Sequence, residues 1–460
     1  MPSTELEQDA APAELGIGEA LALAVKLHRA GYLEDAERLY RRILEAEPQQ
    51  PDALGFLGMI ALHRGRVQES ITLIERSIAI DPRADRYNNL GNVLLAAERV
   101  EDGVEAYRKS IELEPRHADA HNNLGIVYRA QRRYDESAAA YKTAIDIDPR
   151  HVEAYTNYGN LMSAQGSVRE AITAYSRALT LRPHDDEARK YLALAHAALG
   201  DLEAAAEIYR KWLESEPDHP GVKHLLAACC GKDVPERAAD AYIETTFDSF
   251  SQTFDAKLSQ LEYRAPQLVA DALMAAEPAA SGRLRALDAG CGTGLCGPLI
   301  APYVATLHGI DLSAGMLARA RAREVYATLE KAELTQYLHD NPDAFDLIVS
   351  ADTLVYFGVL ESALTGAHRA LRDGGLLIFT VEEATPEHAP EGHRLNPHGR
   401  YSHTQDYVER TLEAAGYARW TIGRGVLRQE RGEPVPGLIV TAYKAGKRVD
   451  DARASSGRTA

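Results

Sequence analysis

Helix-like segments in the first half of the chain end at prolines with a nearly constant spacing. Successive prolines stand 33 or 34 residues apart, and each follows a short run such as Ala-Ile-Asp-Pro82 or Asp-Ile-Asp-Pro149. Proline cannot continue a helix, so each one marks the end of a segment. A period of this length predicts an array of stacked helix pairs, because one pair cannot bury its apolar face alone. The prolines are Pro48, Pro82, Pro115, Pro149, Pro183 and Pro217.

A glycine and an aromatic residue recur in phase with these prolines. A glycine in one helix allows a second helix to approach closely. The whole pattern resembles the tetratricopeptide repeat, with six copies over residues 17–217 and a closing helix within residues 218–231. The resemblance implies an all-α, right-handed superhelix with a concave groove. The recurring residues are Gly58, Gly91, Gly125 and Gly159, with Tyr40, Tyr107, Tyr141, Tyr175 and Tyr209.

Strand-like apolar runs replace this helical period in the second half of the chain. The first run ends at Asp288 and is followed by a turn, Gly290-Cys-Gly-Thr-Gly294, that leads into a helix start. The glycines permit a positive φ and leave bare backbone for a ligand. We therefore expect a nucleotide or nucleoside cofactor at the carboxyl end of the first strand of an α/β sheet. The strand-like runs are residues 283–287, 306–311, 345–351 and 371–380.

Two cofactor classes fit the glycines, and Asp288 favours one of them. Gly292, Gly294 and Gly297 match the dinucleotide pattern, with Asp311 placed 19 residues after Gly292. In a dinucleotide site the pyrophosphate lies over this turn, where the carboxylate of Asp288 would repel it. S-adenosylmethionine carries no phosphate, and its sulfonium and ammonium suit a carboxylate. The residues therefore favour the methyl donor over the dinucleotide.

The run from Leu287 to Gly294, with Gly309-Ile-Asp-Leu-Ser313 and Met316-Leu317, resembles the class I S-adenosylmethionine-dependent methyltransferases. The resemblance covers residues 232–445 and implies a Rossmann-like domain behind the repeats. It implies that Asp311 binds ribose and that Glu333 binds the adenine amine. The expected cofactor-binding residues are Asp288, Gly290, Cys291, Gly292, Gly294, Asp311, Leu312, Met316, Glu333 and Asp352.

Three phenylalanines between the two halves share one helical face. Phe247, Phe250 and Phe254 are spaced by three and four residues. They either pack on the sheet or cover the bound cofactor. Two Phe-Asp pairs here and the run Arg400-Tyr-Ser-His403 resemble bacterial proteins that fuse tetratricopeptide repeats to a methyltransferase.

The catalytic residue is harder to predict than the cofactor site. Methyl transfer from a sulfonium mainly requires alignment of donor and nucleophile. A general base is needed only when the acceptor must lose a proton early. Substrates reach an α/β sheet beyond its strand ends, and the insertion 385–400 is expected to be a substrate loop. The candidates are Asp352, Tyr356, Tyr401 and His403.

A row of asparagines is predicted along the groove. Asn89, Asn123 and Asn157 recur every 34 residues in the first helix of a repeat. Amides donate and accept hydrogen bonds, so they suit an extended peptide backbone. The row resembles the asparagine ladder of O-linked N-acetylglucosamine transferases, which implies a protein or peptide partner. The alternative is that these amides bond to the backbones of neighbouring repeats.

Composition narrows the partners, metals and cellular locations that the chain is expected to have. The chain has 460 residues and a formal charge of −17, which disfavours nucleic-acid partners. Its four cysteines lack metal-ligand spacing and are expected to be reduced thiols, so no metal is expected. The amino terminus lacks a signal-peptide pattern and no apolar run reaches about 18 residues, so we expect a cytoplasmic protein without a membrane span. Residues 1–16 and 446–460 are expected to be disordered.

Three functions remain open on the sequence alone. The first is a methyltransferase whose repeats recruit a protein substrate. The second is a methyltransferase for a small molecule, with the repeats reserved for a separate partner. The third is a scaffold whose cofactor domain senses without catalysing, and the intact Asp288, Gly290, Gly292, Gly294 and Asp311 argue against it.

Overall fold

The computed structural model describes residues 16–277, 279–430 and 432–446. Apart from residues 16 and 446, the termini expected to be disordered lie outside the described residues. The chain divides into two compact units, one up to residue 188 and one from residue 189 onward.

The first unit is built from antiparallel helix pairs. Five consecutive pairs, α1/α2 to α9/α10, are followed by the start of α11. The helices are α1 (Ile17–Arg29), α2 (Leu33–Ala46), α3 (Pro51–His63), α4 (Val67–Ile80), α5 (Ala84–Ala96), α6 (Val100–Leu113), α7 (Ala118–Ala130), α8 (Tyr134–Ile147), α9 (Val152–Ala164), α10 (Val168–Leu181) and α11 (Asp186–Ala198).

Each recurring glycine faces a bulky side chain on the second helix of its pair. A Cβ added at Gly125 would lie 2.6 Å from the ring of Tyr141, and one at Gly159 would lie 2.5 Å from the ring of Tyr175. Both tyrosine rings are fully buried. The predicted close approach of paired helices is therefore confirmed, and the aromatic residue is what occupies the space that glycine leaves.

The last helices of the repeat region pack within the second unit. Helix α12 (Leu202–Ser215) and helix α13 (Pro220–Cys230) share a buried cluster that includes Ala193, Tyr209 and Leu225. Helix α13 also contacts α14 (Asp240–Phe250), the first helix after the repeats. The packing boundary at residue 188 thus differs from the boundary at residue 231 that the sequence motifs mark.

The second unit contains a nine-stranded sheet within the described residues. Parallel strands run in the order β3-β2-β1-β4-β5, and β9 pairs antiparallel with β5 and with β8. The short β7 pairs parallel with the end of β5, and β6 pairs antiparallel with β7. The strands are β1 (Leu284–Ala289), β2 (Val304–Asp311), β3 (Thr328–Lys331), β4 (Phe345–Ser350), β5 (Leu371–Glu383), β6 (His393–Leu395), β7 (Tyr401–His403), β8 (Arg419–Glu430) and β9 (Glu433–Tyr443).

Helices cover both faces of this sheet, and separate buried clusters lie on the two sides of β1 and β4. This arrangement confirms the predicted fold class, an all-α repeat array followed by a Rossmann-like α/β domain. No helix in the described ranges is long and apolar enough to cross a membrane. The remaining helices are α15 (Phe254–Gln260), α16 (Ala265–Ala276), α17 (Gly297–Ile300), α18 (Ala314–Arg321), α19 (Leu334–Asp340), α20 (Glu361–Ala370) and α21 (Gln405–Ala414).

Candidate active site

A cavity of about 300 Å³ opens at the carboxyl ends of the parallel strands. In doubly wound sheets this edge is where ligands bind, because the strand order reverses there. Residues after β1, β2, β3 and β4 all line it. The cavity therefore brings together most of the residues that the sequence assigns to a cofactor.

Asp288 lies at the bottom of this cavity, and only 1% of it is exposed. Its carboxylate accepts a hydrogen bond of 2.7 Å from the hydroxyl of Tyr326. Burial raises the pKa of Asp288 to about 7, and the nearby charge of Asp311 adds to the effect. A cation bound in the cavity would favour the ionised form of this carboxylate.

The glycine-rich turn uses its amide groups within the chain. The N–H groups of Gly290 and Cys291 both donate to the carbonyl of Ile310 at 2.9 Å. Gly292 donates to the carboxylate of Asp311 at 2.8 Å, and Gly294 donates to the carbonyl of Cys291 at 2.8 Å. These amides are therefore not directed at a ligand, as they would be in a phosphate-binding turn.

Two glycines with a positive φ angle in this turn pack closely against other side chains. Gly290, at φ 79°, lies against Thr353, and a side chain there would collide with it. Gly294, at φ 82°, packs against Tyr326 and, unlike the other predicted cofactor residues, does not line the cavity. Gly292 has open space where a side chain would project.

Asp311 is the last residue of β2, and its carboxylate bonds to the backbone at two places: in the glycine turn and just before α18. Its oxygens accept from the N–H of Gly292 and from the N–H of Ser313, both at 2.8 Å. Burial raises its pKa. Glu333 begins helix α19 and accepts from the N–H of Gln336 at 2.8 Å. Other predicted cofactor residues that line the cavity are Cys291, Leu312, Met316 and Asp352.

Helices α14 and α15 form a cover over the cavity. Phe247, Phe250 and Phe254 line it, so their shared face is directed at the ligand space rather than at the sheet. Two carboxylates attach the cover to the Rossmann-like domain. Asp248 accepts from the hydroxyl of Ser313 and from the N–H of Gly315 at 3.0 Å. Asp255 accepts from the hydroxyl of Thr293 at 2.5 Å and from Arg323 at 2.7 Å.

Asp352 and Tyr356 line the opposite end of the cavity. Asp352 adopts φ 58°, a strained left-handed conformation for a residue other than glycine. Its N–H donates to the hydroxyl of Thr380 at 2.8 Å, and its carboxylate accepts from Arg428 at 2.9 Å. Burial raises the pKa of Asp352, whereas Arg428 opposes this shift. Non-glycine strain of this kind is typical of functional positions.

A charge network that the motifs do not reveal continues this end of the cavity. Arg428, only 3% exposed, pairs with Asp352, Glu382 and Glu430. Arg400 pairs with Glu382 at 2.7 Å and with Glu430. Burial opposes the charge on Glu382, yet the two guanidinium groups hold its pKa at about 2. Strand β8 also contains Arg419 and Arg424, so no sequence signal singles out Arg428.

Tyr401 and His403 do not line the cavity, unlike the other two catalytic candidates, Asp352 and Tyr356. Both are fully buried in β7. The hydroxyl of Tyr401 donates to the carbonyl of Pro235 at 2.5 Å, and His403 Nε2 lies 3.2 Å from the carbonyl of Gly358. Burial lowers the pKa of His403 to about 4. Tyr401 packs with Leu395 and with α13, and His403 packs against His393 and Tyr407. Arg400, just before the strand, faces the ligand space.

The asparagine row bridges adjacent repeats. The amide of Asn123 donates to Asn88 at 2.9 Å and to Asn92 at 3.1 Å. The amide of Asn157 donates to Asn122 at 3.0 Å. Asn89 is half-buried in α5. The amides of Asn123 and Asn157 thus bond to side chains of the preceding repeat and not to its backbone, and they remain partly exposed.

Comparison with known families agrees with this architecture. Residues 287–377 match the family model described as a methyltransferase domain. Residues 17–85, 88–152 and 159–220 match a tetratricopeptide repeat model, and a second such model matches residues 140–173. The chain therefore contains tetratricopeptide repeats followed by a segment that matches a methyltransferase domain, as the sequence resemblance predicted.

Two curated relatives are methyltransferases by name. Human methyltransferase-like protein 27 is 35% identical over 35% of this chain and 64% of its own length. The malonyl-[acyl-carrier protein] O-methyltransferase of Enterobacter lignolyticus is 37% identical over 24% of this chain and 44% of its own length. The chain therefore spans less than two thirds of either relative. A solved tetratricopeptide repeat protein of Thermus thermophilus is 26% identical, with a TM-score of 0.36, over 39% of this chain and 98% of that one.

Proposed function

We propose that this protein transfers a methyl group from S-adenosylmethionine and that its repeats recruit a protein substrate. One observation carries the choice of cofactor. Asp288, which is buried, and Asp311, which is partly buried, face a cavity whose glycine turn has already used the amides of Gly290 and Gly292. Two carboxylates at one site attract a cation and repel a pyrophosphate.

The residues present fit S-adenosylmethionine from end to end. Asp288 would hold the ammonium of the methionine part, since burial leaves this carboxylate in need of a positive partner. Asp311 would accept from the ribose hydroxyls, and Glu333 from the adenine amine. Bound there, the cofactor supplies a methyl group on a cationic sulfur.

Residues of this chain would perform three tasks around that methyl group. The aromatic face of Phe247, Phe250 and Phe254 excludes water from the reacting atoms. The glycine turn and Asp311 fix the direction of the methyl group, which is the main requirement of in-line transfer. Asp352 can accept a proton from the acceptor at its carboxylate, because burial makes that group more basic.

Calorimetric titration of the whole protein tests the cofactor. S-adenosylmethionine and its demethylated product should bind, and NAD should bind at least about a hundredfold more weakly, because its pyrophosphate would meet Asp288. Asp288→Asn should weaken binding of the methyl donor and leave helicity unchanged. Tighter binding of NAD than of S-adenosylmethionine would contradict the proposal.

A small-molecule acceptor is the second candidate, and the asparagine contacts favour it. The amides of Asn123 and Asn157 already bond to side chains of the preceding repeat. They are therefore less available to a peptide than a free ladder would be. In this second function the repeats bind a separate protein partner while the acceptor enters the cavity alone.

A further inference from the structure

The segment that carries Arg400 into the cavity rests on the last helix of the repeat region. His224 of α13 places Nε2 2.9 Å from the carbonyl of Gly399, and only 3% of His224 is exposed. Arg400, the next residue, lines the cavity and pairs with Glu382. We call the part of the cavity that Asp352, Arg400 and Arg428 line the acceptor end. A helix that belongs to the repeats by sequence thus supports the acceptor end of the candidate active site.

Close packing prevents this segment from shifting. Gly399 adopts φ 90°, and a Cβ added there would lie 2.9 Å from the hydroxyl of Tyr242 and 3.2 Å from Leu225. The N–H of Gly399 donates to the carbonyl of Asn396 at 2.8 Å, which closes a tight turn. Gly399 is therefore held by its own turn on one side and by α13 and α14 on the other.

Two further contacts attach the same segment to α13 and to the chain that follows it. Ala227 and Ala228 of α13 form a buried cluster with Leu395 and Tyr401. The hydroxyl of Tyr401 donates to Pro235 in the connection between α13 and α14. Residues on both sides of Arg400 are thus anchored, so the direction of its side chain depends on α13.

Helix α13 also supports the cover. Gly221 faces the ring of Tyr242, whose helix α14 continues to the aromatic face over the cavity. A shift of α13 would therefore move the segment around Arg400 and the start of α14 together.

We propose that His224 is a positioning residue that fixes Arg400 at the acceptor end of the active site through the Gly399 carbonyl. The inference deepens the proposed methyltransferase function, on which its catalytic consequence rests. His224 touches neither cofactor nor acceptor space; it acts through the backbone of the 396–400 turn. The repeat region consequently contributes to the geometry of the acceptor end as well as to partner binding.

Three variants of the full chain test this role. His224→Leu removes the hydrogen bond, and His224→Gln keeps an N–H donor near the position of Nε2. Lys223→Ala is the matched control on the same helix, because Lys223 is exposed and its ammonium pairs with the exposed Asp218. Hydrogen exchange of residues 393–401, affinity for S-adenosylmethionine and transfer of labelled methyl groups into cell extract are measured for each.

His224→Leu should raise exchange in residues 393–401 about tenfold, the effect of one lost buried hydrogen bond. Exchange in β1 and β4 and affinity for S-adenosylmethionine should stay within twofold of the wild type, while methyl transfer falls at least about fivefold. His224→Gln should restore both exchange and transfer, and Lys223→Ala should change neither.

Three results would overturn the inference. They are unchanged exchange in residues 393–401 of His224→Leu, an equal rise throughout the sheet, or failure of His224→Gln to restore protection. Absence of cofactor binding in the wild type would instead count against the proposed function, and the exchange data would still decide the role of His224.

Discussion

At the scale of single residues, the site depends on carboxylates held in places where water cannot reach them freely. Asp288 is almost fully buried and meets one hydroxyl, that of Tyr326. Asp311 is supported by two backbone N–H groups. Cofactor binding should therefore depend on Asp288 through the protonation of its carboxylate. It should depend on Asp311 through the geometry of the glycine turn that this carboxylate holds.

Binding of S-adenosylmethionine should weaken as pH falls below 7. The pKa of Asp288 is about 7 in the free protein, and a bound cation lowers it by favouring the carboxylate. Binding below pH 7 must then displace a proton, so affinity should fall by up to about tenfold per pH unit. Calorimetry between pH 5.5 and 7 measures the slope, below the range where the amino group of the ligand titrates. Asp288→Asn should remove the slope, and a flat wild-type profile would refute the assignment.

Asp311→Ala should weaken binding of S-adenosylmethionine by about 1.5–3 kcal/mol, the range for hydrogen bonds to a charged group. The change removes the acceptor for ribose and frees the N–H of Gly292. Equilibrium dialysis measures the effect. Asp346→Ala is the control, because Asp346 lies at the opposite end of β4 and accepts from Arg372 and from the N–H of Arg285. Equal affinity in wild type and Asp311→Ala would show that ribose binds elsewhere.

The sequence identifies residues that follow strands directly, and it misses those that depend on strand pairing. Asp288 and Asp311 could be predicted because a parallel strand delivers its last residue to the same edge as its neighbours. Arg428 could not, because β8 reaches this edge only through its pairing with β9. Tyr401 and His403 lie away from the cavity because side chains of α13, β6 and α21 enclose them, and the motif does not reveal these contacts.

At the scale of elements, the cover and the repeats are each fixed by a small number of contacts. Asp248 ties α14 to the start of α18, and Asp255 ties α15 to the glycine turn. The phenylalanine spacing predicted the apolar face, whereas these attachments required the structure. The observed strands differ from the predicted runs mainly at their ends, such as β5, which continues to Glu383.

Asp248→Ala should raise the dissociation rate of S-adenosylmethionine about tenfold, because α14 loses bonds to Ser313 and Gly315. Rapid mixing with excess unlabelled cofactor measures the rate. Asp271→Ala on α16, whose carboxylate accepts from Gln267, should leave the rate unchanged. An unaltered rate in Asp248→Ala would mean that this contact does not hold the cover closed.

Gly125→Ala should destabilise the array by about 1–3 kcal/mol, because the new methyl group would overlap the ring of Tyr141. Gly18→Ala offers a matched control in α1, where nothing lies within 4 Å of the added atom. That control should stabilise the helix by about 0.5–1 kcal/mol. Urea unfolding followed by circular dichroism compares the two, and equal stability would show that the helices can separate without cost.

At the scale of the whole molecule, a repeat array and a methyltransferase domain share one chain, and the last helices of the array belong to the second compact unit. The repeats and the Rossmann-like fold could be predicted because each has a strict period or motif order. The packing boundary could not, since it depends on contacts such as that of His224 with Gly399.

Replacing Asn89, Asn123 and Asn157 together with alanine should lower methyl transfer into protein of a cell extract, with unchanged affinity for S-adenosylmethionine. Each amide contributes about 0.5–1.5 kcal/mol to a held peptide. Labelled transfer and circular dichroism are measured together. Unchanged transfer would favour the small-molecule acceptor. Lost helicity would show that the bonds from Asn123 to Asn88 and from Asn157 to Asn122 are purely structural.

The contacts between a glycine and a tyrosine within each helix pair also bear on how the length of such a chain can change during evolution. The pairs Gly91–Tyr107, Gly125–Tyr141 and Gly159–Tyr175 are alike in spacing and contact. Each contact lies within one helix pair, so a duplicated repeat in the gene brings its own glycine–tyrosine contact with it. The array can therefore gain or lose such a repeat without separating a glycine from its tyrosine.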